Sequence, residues 1–134
     1  MKDTVNVKIK FRDPFRPFAP SLIESNTEKF LDVAAPQEHC PNRFMLYVVP
    51  VRDEFHEALP AITQCDGSAR IQTVRPDVPP LYHQLIETFG QLTGIPVVMN
   101  TYFNLRSEPI VTTPANAFPL STTAAWTFSS LAIV

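Results

Sequence analysis

The chain has 134 residues, of which 45% are apolar and 18% are charged, and its formal net charge is −2. This length and apolar content suit one folded domain with a hydrophobic core, and they exclude a mostly disordered chain. Three glycines are too few for a glycine-rich phosphate loop or a dinucleotide-binding fingerprint. No apolar run is suited to a membrane span, and the first residues lack the pattern of a secretory signal. We therefore expect no membrane association.

The charges are distributed unevenly along the chain. Residues 1–20 contain five Lys and Arg against two Asp, whereas residues 21–60 contain three basic and seven acidic residues. This balance argues against nucleic-acid binding in general, but the basic opening can hold one small anion. Cys40 and Cys65 are too few for a disulfide scaffold, and no His or Cys pair has metal-ligand spacing. We therefore expect a reduced, cytoplasmic protein with no metal site of its own.

In the first quarter of the chain, the patterns predict a strand, a stiff segment and a helix. Apolar and basic side chains alternate over residues 5–11, which favours a strand, with a short helix as the alternative. Three prolines over residues 13–20 exclude both a helix and a central strand, and they predict a stiff, extended segment. Ser21 and Glu24 fit a capping box, which predicts a helix over residues 21–33.

The middle of the chain is predicted to form short strands and turns. The dense apolar run over residues 44–51 indicates a buried strand, and residues 53–59 predict one or two helical turns. Residues 65–68 have turn composition and lie between 61–64 and 69–74. This arrangement predicts two strands around a tight turn.

The best-defined element is a helix over residues 79–93, with Asp77 as its cap and Gly94 at its end. Its apolar side chains recur at helical spacing and form one stripe: Leu81, Tyr82, Leu85, Ile86, Phe89 and Leu92. The apolar run over residues 95–100 predicts a buried strand. The order strand–helix–strand indicates an α/β architecture, in which ligands bind where strands end.

Three polar clusters are candidates for a binding site. The first lies along the proline-rich segment and contains Lys10, Arg12, Arg16 and Ser21. Arginine suits forked contacts to phosphate or carboxylate, and lysine supplies a point charge, although a solvated basic edge strand is the alternative. The second contains Asp66, Ser68 and Arg70 and is either a ligand-orienting turn or an ordinary hairpin turn. The third, over residues 99–109, directly follows a predicted strand, which is a favoured place for phosphate and nucleotide sites.

Four segments resemble one family in their amino-acid sequences and in their order along the chain. Residues 10–20 (KFRDPFRPFAP) resemble the opening of the C-terminal domain of NodU/CmcH-type O-carbamoyltransferases. The segments 44–48, 59–73 and 93–111 continue this resemblance in the family's order. It covers the chain as far as about Asn116 and suggests a rhizobial nodulation protein.

The resemblance implies a YrdC/Sua5-like fold, an α/β structure with a twisted mixed sheet and flanking helices around a central cavity. It also implies that the domain binds carbamoyl phosphate and ATP, with Mg²⁺ held by the substrate phosphates, and forms carbamoyl adenylate. In the family, a Kae1-like N-terminal domain then passes the carbamoyl group to a hydroxyl of an antibiotic or of a nodulation-factor sugar. No segment here resembles that domain. We therefore expect residues 1–134 to be one domain of a two-domain enzyme.

The resemblance also implies roles for individual residues. Lys10 and Arg12 match positions that hold phosphate groups, and Arg70 matches a contact to carbamoyl phosphate or nucleotide. Asn100 and Asn104 match polar ligands of the reacting centre, where amides can contact a carbamoyl group. These five are the expected catalytic residues. The expected substrate-binding residues are Arg16, Ser21, Asp66, Thr101, Tyr102 and Arg106.

Several residues depart from the family pattern. Tyr102 stands where the family has a small Ser, and Gln64 replaces a His. Ser107 replaces a Gly, at a cost of about 1 kcal/mol or more if the turn needs a positive φ. Pro119 is expected to break the helix that the family forms after Asn116. These departures favour a second hypothesis, a non-catalytic module that binds nucleotide or docks on a partner domain. RNA binding along a basic rim is a third, which the net charge of −2 disfavours.

Overall fold

The computed structural model describes residues 2–11, 13, 16–77, 80–104 and 107–123. It divides the chain into two compact units, of which the smaller comprises Met1–Arg16 with Thr101–Val134 and the larger comprises Pro17–Asn100. That residues 1–134 act as one domain stays a prediction.

The described residues of the larger unit form five strands. These are β1 (Ala19–Ile23), β2 (Val48–Pro50), β3 (Ser68–Arg70), β4 (Gln72–Val74) and β5 (Val97–Asn100). Three of them make a mixed sheet in the order β4-β1-β5, in which β1 runs parallel to β4 and antiparallel to β5. The other two, β2 and β3, form an antiparallel pair. The predicted α/β class is confirmed at the level of a mixed sheet with helices.

The described helices are mostly short. The α-helices are α1 (Lys2–Thr4), α2 (Thr27–Phe30), α3 (Pro80–Thr93) and α4 (Pro114–Thr123). A π-helical turn follows α1 at Val5–Ile9. Single 3-10 turns lie at Glu24–Asn26, Pro36–Glu38, Cys40–Phe44 and Asp53–Phe55. None of the helices in the part of the chain that the structure describes has the length and hydropathy needed to cross a bilayer.

Strand β1 organises the core of the larger unit because successive side chains of a strand point to opposite faces. Leu22 packs into a cluster with Phe30, Leu31 and Ile71, whereas Ile23 packs with residues of β4 and α3 on the other face. All five residues of β1 are buried. The strand therefore lies between two apolar layers.

The helix predicted over residues 21–33 is wrong for its first part. Residues 19–23 are a strand instead, and the α-helix covers only Thr27–Phe30. Ser21 does not cap a helix, since its hydroxyl donates to the side chain of Gln72 on the neighbouring strand. Pairing with strands on both sides outweighs the local capping signal.

The expectation that prolines exclude a central strand over residues 13–20 is also wrong. Pro20 lies within β1, where it is opposite Met99 of β5. The pairing of β1 with β4 starts only at Ser21. Pro20 therefore has a strand neighbour on one side alone, and its missing N–H leaves no ladder bond unmade on the other.

Two further strand predictions are corrected in part. Of residues 44–51, only Val48–Pro50 form a strand, because Cys40–Phe44 make a 3-10 turn that ends at Met45 with φ of 56°. Residues 61–62 form a turn, and residues 63–64 have no regular structure, so this segment is not a strand. Strand β3 pairs with β2 instead of with that segment.

Helix α3 and strand β5 confirm the predictions for residues 79–93 and 95–100 at nearly the expected bounds, but α3 buries a different face. The four residues Leu81, Leu85, Phe89 and Leu92 are exposed, whereas Ile86 is fully buried with Tyr82 beside it. Gly90 continues this buried face at spacing four. A Cβ atom on Gly90 would lie 2.6 Å from the Pro96 Cβ, so glycine permits the close packing of α3 on the following segment.

In the smaller unit, residues 5–9 are helical rather than a strand, which favours the alternative over the first prediction. The alternation of apolar and basic residues over 5–11 therefore does not mark a strand.

Pro119 does not break the last helix, since α4 runs from Pro114 to Thr123 with this proline inside it. The helix begins after Thr113, whose hydroxyl accepts from the backbone N–H of Asn116 at 3.3 Å.

Candidate functional site

Three polar side chains form a hydrogen-bonded group across the mixed sheet, which we call the strand cluster: Ser21, Gln72 and Asn100. Gln72 Oε1 accepts a hydrogen bond from Ser21 Oγ at 2.7 Å and another from Asn100 Nδ2 at 2.6 Å. Ser21 lies opposite Gln72 in the parallel pair, and Asn100 lies opposite Ala19, two residues away from Ser21. The strand register thus places one member on each of three adjacent strands, on one face.

The strand cluster keeps one donor and one acceptor available. Within the part of the chain that the structure describes, Gln72 Nε2 and Asn100 Oδ1 have no hydrogen-bond partner. Exchanging O and N in both amides would again leave one donor and one acceptor, so this property does not depend on the assignment. A neutral group with one N–H donor and one C=O acceptor left over matches the donor and acceptor of another amide-like group.

Tyr82 of α3 adjoins the strand cluster. Burial raises the pKa of Tyr82, and a hydrogen bond with Ser21 opposes this shift. The phenol therefore remains protonated at neutral pH. Asn100 Nδ2 also lies 3.6 Å from the Met45 sulfur, which is a weak acceptor. The described polar contacts of the strand cluster are thus with uncharged hydroxyl, amide and thioether groups.

In the smaller unit, Lys10 holds the loop over residues 101–104. Lys10 is 3% exposed. Its ammonium group donates to the carbonyl oxygen of Tyr102, to that of Asn104 at 2.8 Å, and to Asn104 Oδ1 at 3.3 Å. The amide of Asn104 donates in turn to the carbonyl oxygen of Glu108 at 2.9 Å. A lysine has three donors, so these contacts can occupy its whole ammonium group.

Two of the departures from the family pattern lie in this same unit. Ser107 has φ of 65°, in the region that favours glycine. Ser107 therefore has the positive φ for which a cost of about 1 kcal/mol or more is expected. Tyr102 is half exposed, and its backbone carbonyl is bound to Lys10.

The turn at residues 64–68 is a conventional one. Asp66 Oδ1 accepts from the Ser68 hydroxyl at 2.6 Å and from the Ser68 backbone N–H at 3.0 Å. These two bonds lower the pKa of Asp66. Gly67 has φ of 79°, as a tight turn requires. Asp66 therefore shapes the turn, which is the simpler of the two interpretations given to this motif.

The structure brings together only some of the expected site residues. Lys10 contacts Tyr102 and Asn104 in the smaller unit, and Ser21 is linked to Asn100 through Gln72 in the larger one. Among the described residues of this set, Arg16, Asp66 and Arg70 do not join either group. Arg70 is exposed, with no side-chain bond to another described residue. The described contacts of Arg16 are made by its backbone: its carbonyl accepts from the Asn6 side chain at 2.8 Å, and its N–H donates to the Asp13 carbonyl at 3.3 Å. Thr101 lies in the loop held by Lys10, and Arg12 and Arg106 lie outside the described residues.

Gln72 was not among the site residues predicted from the sequence. It falls at the edge of the second polar cluster, between Ile71 and the β-branched pair Thr73–Val74. A polar amide within a short apolar strand is a usable signal, because a buried amide needs partners. Which partners it has depends on strand order.

Comparison with known proteins gives a consistent result. The model of a family described as "Carbamoyltransferase C-terminus" matches residues 1–132. The chain is 40% identical over 116 residues to nodulation protein NolNO of Sinorhizobium fredii (strain NBRC 101917 / NGR234), with 87% of this chain and 17% of that protein covered. Nodulation protein NolO of Bradyrhizobium diazoefficiens is also 40% identical over 116 residues, with coverage of 87% and 21%.

Nodulation protein U of Rhizobium tropici is 37% identical over 108 residues, which cover 81% of this chain and 18% of that protein. The chain thus spans about a fifth of the length of these curated relatives. The resemblance stated from the four segments is confirmed. The match to the family model continues past Asn116 to residue 132.

Proposed function

Because the chain belongs to the carbamoyltransferase C-terminus family, we propose that it performs the activation half of an O-carbamoyl transfer. In this proposal it binds carbamoyl phosphate and ATP. Water releases phosphate from carbamoyl phosphate, and the resulting carbamate displaces pyrophosphate from ATP to form carbamoyl adenylate. The match of the family model to residues 1–132 is the observation that carries the proposal. The reaction joins two anionic substrates, so the protein contributes mainly by positioning them and neutralising their charge.

The strand cluster supports recognition of the carbamoyl group. A carbamoyl group has one C=O and one NH₂, and the cluster presents one free donor at Gln72 and one free acceptor at Asn100. We assign the Gln72 Nε2 donor to the carbamoyl oxygen and the Asn100 Oδ1 acceptor to the carbamoyl nitrogen. Ser21 then acts as a positioning residue, because its hydroxyl fixes the orientation of the Gln72 amide.

Lys10 is proposed to bind a phosphate group, as its counterpart does in the family. Its two bonds to backbone carbonyls hold the 101–104 loop. Its contact with Asn104 Oδ1, at 3.3 Å, is longer than its bond to the Asn104 carbonyl oxygen, at 2.8 Å. We assign that third donor to a phosphate oxygen when substrate is bound. Asn104 would then be free to contact substrate as well. Arg12, Arg16, Arg70 and Arg106 are proposed to supply further positive charge.

Other parts of the proposal come from the family alone. They are a YrdC/Sua5-like sheet around a central cavity, a cytoplasmic location, and a Kae1-like domain that passes the carbamoyl group to a sugar, nodulation-factor or antibiotic hydroxyl. Mg²⁺ is proposed to arrive with ATP, with phosphate oxygens and water as most of its ligands. Among the described residues, no three His, Cys, Asp or Glu side chains gather into a metal-binding group.

Calorimetric titration with carbamoyl phosphate and with ATP tests the proposal. We expect Lys10→Met to weaken binding of at least one substrate by about tenfold or more, since a hydrogen bond to a charged group contributes about 1.5–3 kcal/mol. Lys8→Met is the matched control, because Lys8 is exposed in the same N-terminal segment. Carbamoyl-phosphate-dependent exchange of pyrophosphate into ATP reports adenylate formation. Absence of binding by the wild-type chain, or equal binding by Lys10→Met, would refute the proposal.

A non-catalytic module is the second candidate, and it rests on Tyr102 and Ser107. The half-exposed Tyr102 replaces a small family residue, and Ser107 holds a backbone conformation that suits glycine. The variant Tyr102→Ser separates the two functions. A gain in pyrophosphate exchange with unchanged ATP affinity supports an impaired enzyme, whereas no exchange by either protein, with ATP still bound, supports the non-catalytic module.

A further inference from the structure

Met45 ends a 3-10 turn in a backbone conformation that favours glycine. The turn covers Cys40–Phe44, and Met45 follows it with φ of 56°. The backbone N–H groups of Met45 and Leu46 both donate to the carbonyl oxygen of Pro41, which closes the turn. Glycine is the usual residue at such a position, because a Cβ atom costs free energy at positive φ. A methionine held there points to a function for its side chain.

The side chain of Met45 faces the mixed sheet. Met45 is half-buried, whereas Phe44 and Leu46 on either side of it are more than half exposed. The 3-10 turn packs against β4. Met45 Sδ lies 3.6 Å from Asn100 Nδ2 on β5, which makes the sulfur an acceptor for this amide. The turn therefore brings an acceptor to the strand cluster from outside the sheet.

Asn100 thus has an acceptor for each of its two N–H donors. Gln72 Oε1 accepts at 2.6 Å, and Met45 Sδ accepts at 3.6 Å. An amide NH₂ group has two donors, so both can be engaged inside the protein. We propose that Met45 is a positioning residue for Asn100 and determines which acyl group the strand cluster accepts. This inference rests on the function proposed above, in which Asn100 Oδ1 accepts from the carbamoyl NH₂ group.

Two contacts fix the plane of the Asn100 amide, whereas one contact does not. The terminal torsion of an asparagine side chain is broad, so an amide held by Gln72 alone can turn about it. The Met45 sulfur supplies the second point that stops this rotation. Asn100 Oδ1 then keeps one direction, whether or not a ligand donates to it.

A fixed acceptor discriminates between ligands, because it cannot turn away from one that leaves it unpaired. The carbamoyl and acetyl groups share a C=O, but the acetyl group has a methyl where the carbamoyl group has NH₂. Acetyl phosphate therefore leaves Asn100 Oδ1 without a donor, and a site built to bond a polar group rejects the analogue that lacks it. If the amide is free to turn, that penalty falls. Met45 thus favours carbamoyl phosphate over acetyl phosphate.

Calorimetric titration of the full chain with carbamoyl phosphate and with acetyl phosphate tests the inference. The measured quantity is the ratio of the two dissociation constants. We expect the wild type to prefer carbamoyl phosphate by at least about tenfold, and Met45→Leu to reduce this preference by about threefold or more. Met45→Gln, whose side-chain carbonyl can accept from Asn100, is expected to keep most of the preference.

These two variants separate positioning from packing. Methionine, leucine and glutamine are all unbranched at Cβ, so the positive φ at position 45 treats them alike. If Met45 only fills space, the apolar leucine is tolerated and the polar glutamine is disruptive, which is the reverse of the order expected here. Met99→Leu is the matched control. Met99 precedes Asn100 on β5, points to the other face of the strand and packs on the core cluster, so its substitution should leave the preference unchanged.

The outcomes also distinguish this inference from the proposed function. Absence of carbamoyl phosphate binding by the wild type would refute the function and the inference together. Equal affinity of the wild type for the two phosphates, or the same preference in wild type and Met45→Leu, overturns the inference alone. A substrate-free measurement gives a second test: the Met45 methyl group should show a nuclear Overhauser effect to the Asn100 NH₂ protons. Its absence overturns the inference as well.

Discussion

Substituting Gln72 by leucine and by glutamate separates its structural contribution from its proposed contact with substrate. Gln72 Oε1 is the shared acceptor for Ser21 at 2.7 Å and Asn100 at 2.6 Å. Leucine removes that acceptor. Glutamate retains an oxygen acceptor for both donors but places a negative charge where two anionic substrates are proposed to bind. Gln72→Leu should therefore mainly lower stability, whereas Gln72→Glu should mainly weaken substrate binding.

The expected magnitudes follow from burial and distance. An unsatisfied buried polar group costs about 1–3 kcal/mol. Ser21 is fully buried, and Asn100 is only half-buried. We therefore expect Gln72→Leu to lower the free energy of unfolding by about 2–3 kcal/mol. For Gln72→Glu, two like charges about 4 Å apart at an effective dielectric constant of about 20 repel by about 4 kcal/mol, so binding should weaken at least a hundredfold.

Urea unfolding measures the stability change, and calorimetric titration with carbamoyl phosphate and ATP measures binding. Gln91→Glu is the matched control, because it introduces the same charge on the exposed side of α3. If Gln72→Glu binds carbamoyl phosphate like the control, the strand cluster does not contact the substrate. If Gln72→Leu unfolds at the same urea concentration as wild type, the reasoning from its two hydrogen bonds is wrong.

Three further predictions concern the fold. Ser107→Gly should raise the free energy of unfolding, measured in urea, by about 0.5–1 kcal/mol, because relief of the positive-φ strain exceeds the cost of the added flexibility of the unfolded chain. The control Ser25→Gly, in a 3-10 turn, should lower the free energy of unfolding. Gly90→Ala should destabilise by about 1–3 kcal/mol, although alanine favours helices, because its Cβ would meet Pro96 at 2.6 Å; a stabilised variant would contradict the packing. Burial raises the pKa of Tyr82, so its contribution to stability is complete below the ordinary tyrosine pKa and is lost as pH rises through the raised value. Tyr82→Phe should therefore reduce the fall in melting temperature above about pH 10. An unchanged fall would refute this assignment.

Strong local signals predicted several features correctly from the sequence. The helix Pro80–Thr93 has an apolar period and terminal signals that act within one segment, and the strand Val97–Asn100 follows it as expected. The family could also be recognised, because a family resemblance is read from the amino-acid sequence alone. The family's glycine at position 107 raised a positive φ only as a condition, and the structure shows that condition at Ser107, with φ of 65°. Each of these depends on interactions between residues that are close in the chain, or on comparison of residues.

Features that depend on distant partners were decided only by the tertiary structure. Residues 19–23 became a strand because β4 and β5 lie on either side of it, and Pro20 is tolerated because β4 does not extend that far. The exposed stripe of α3 was indistinguishable in sequence from a buried one, since periodicity identifies a face without saying what covers it. Gln72 joins Ser21 and Asn100 across separations of 51 and 28 residues. No local pattern encodes such contacts, because they exist only after the strands have been ordered in the sheet.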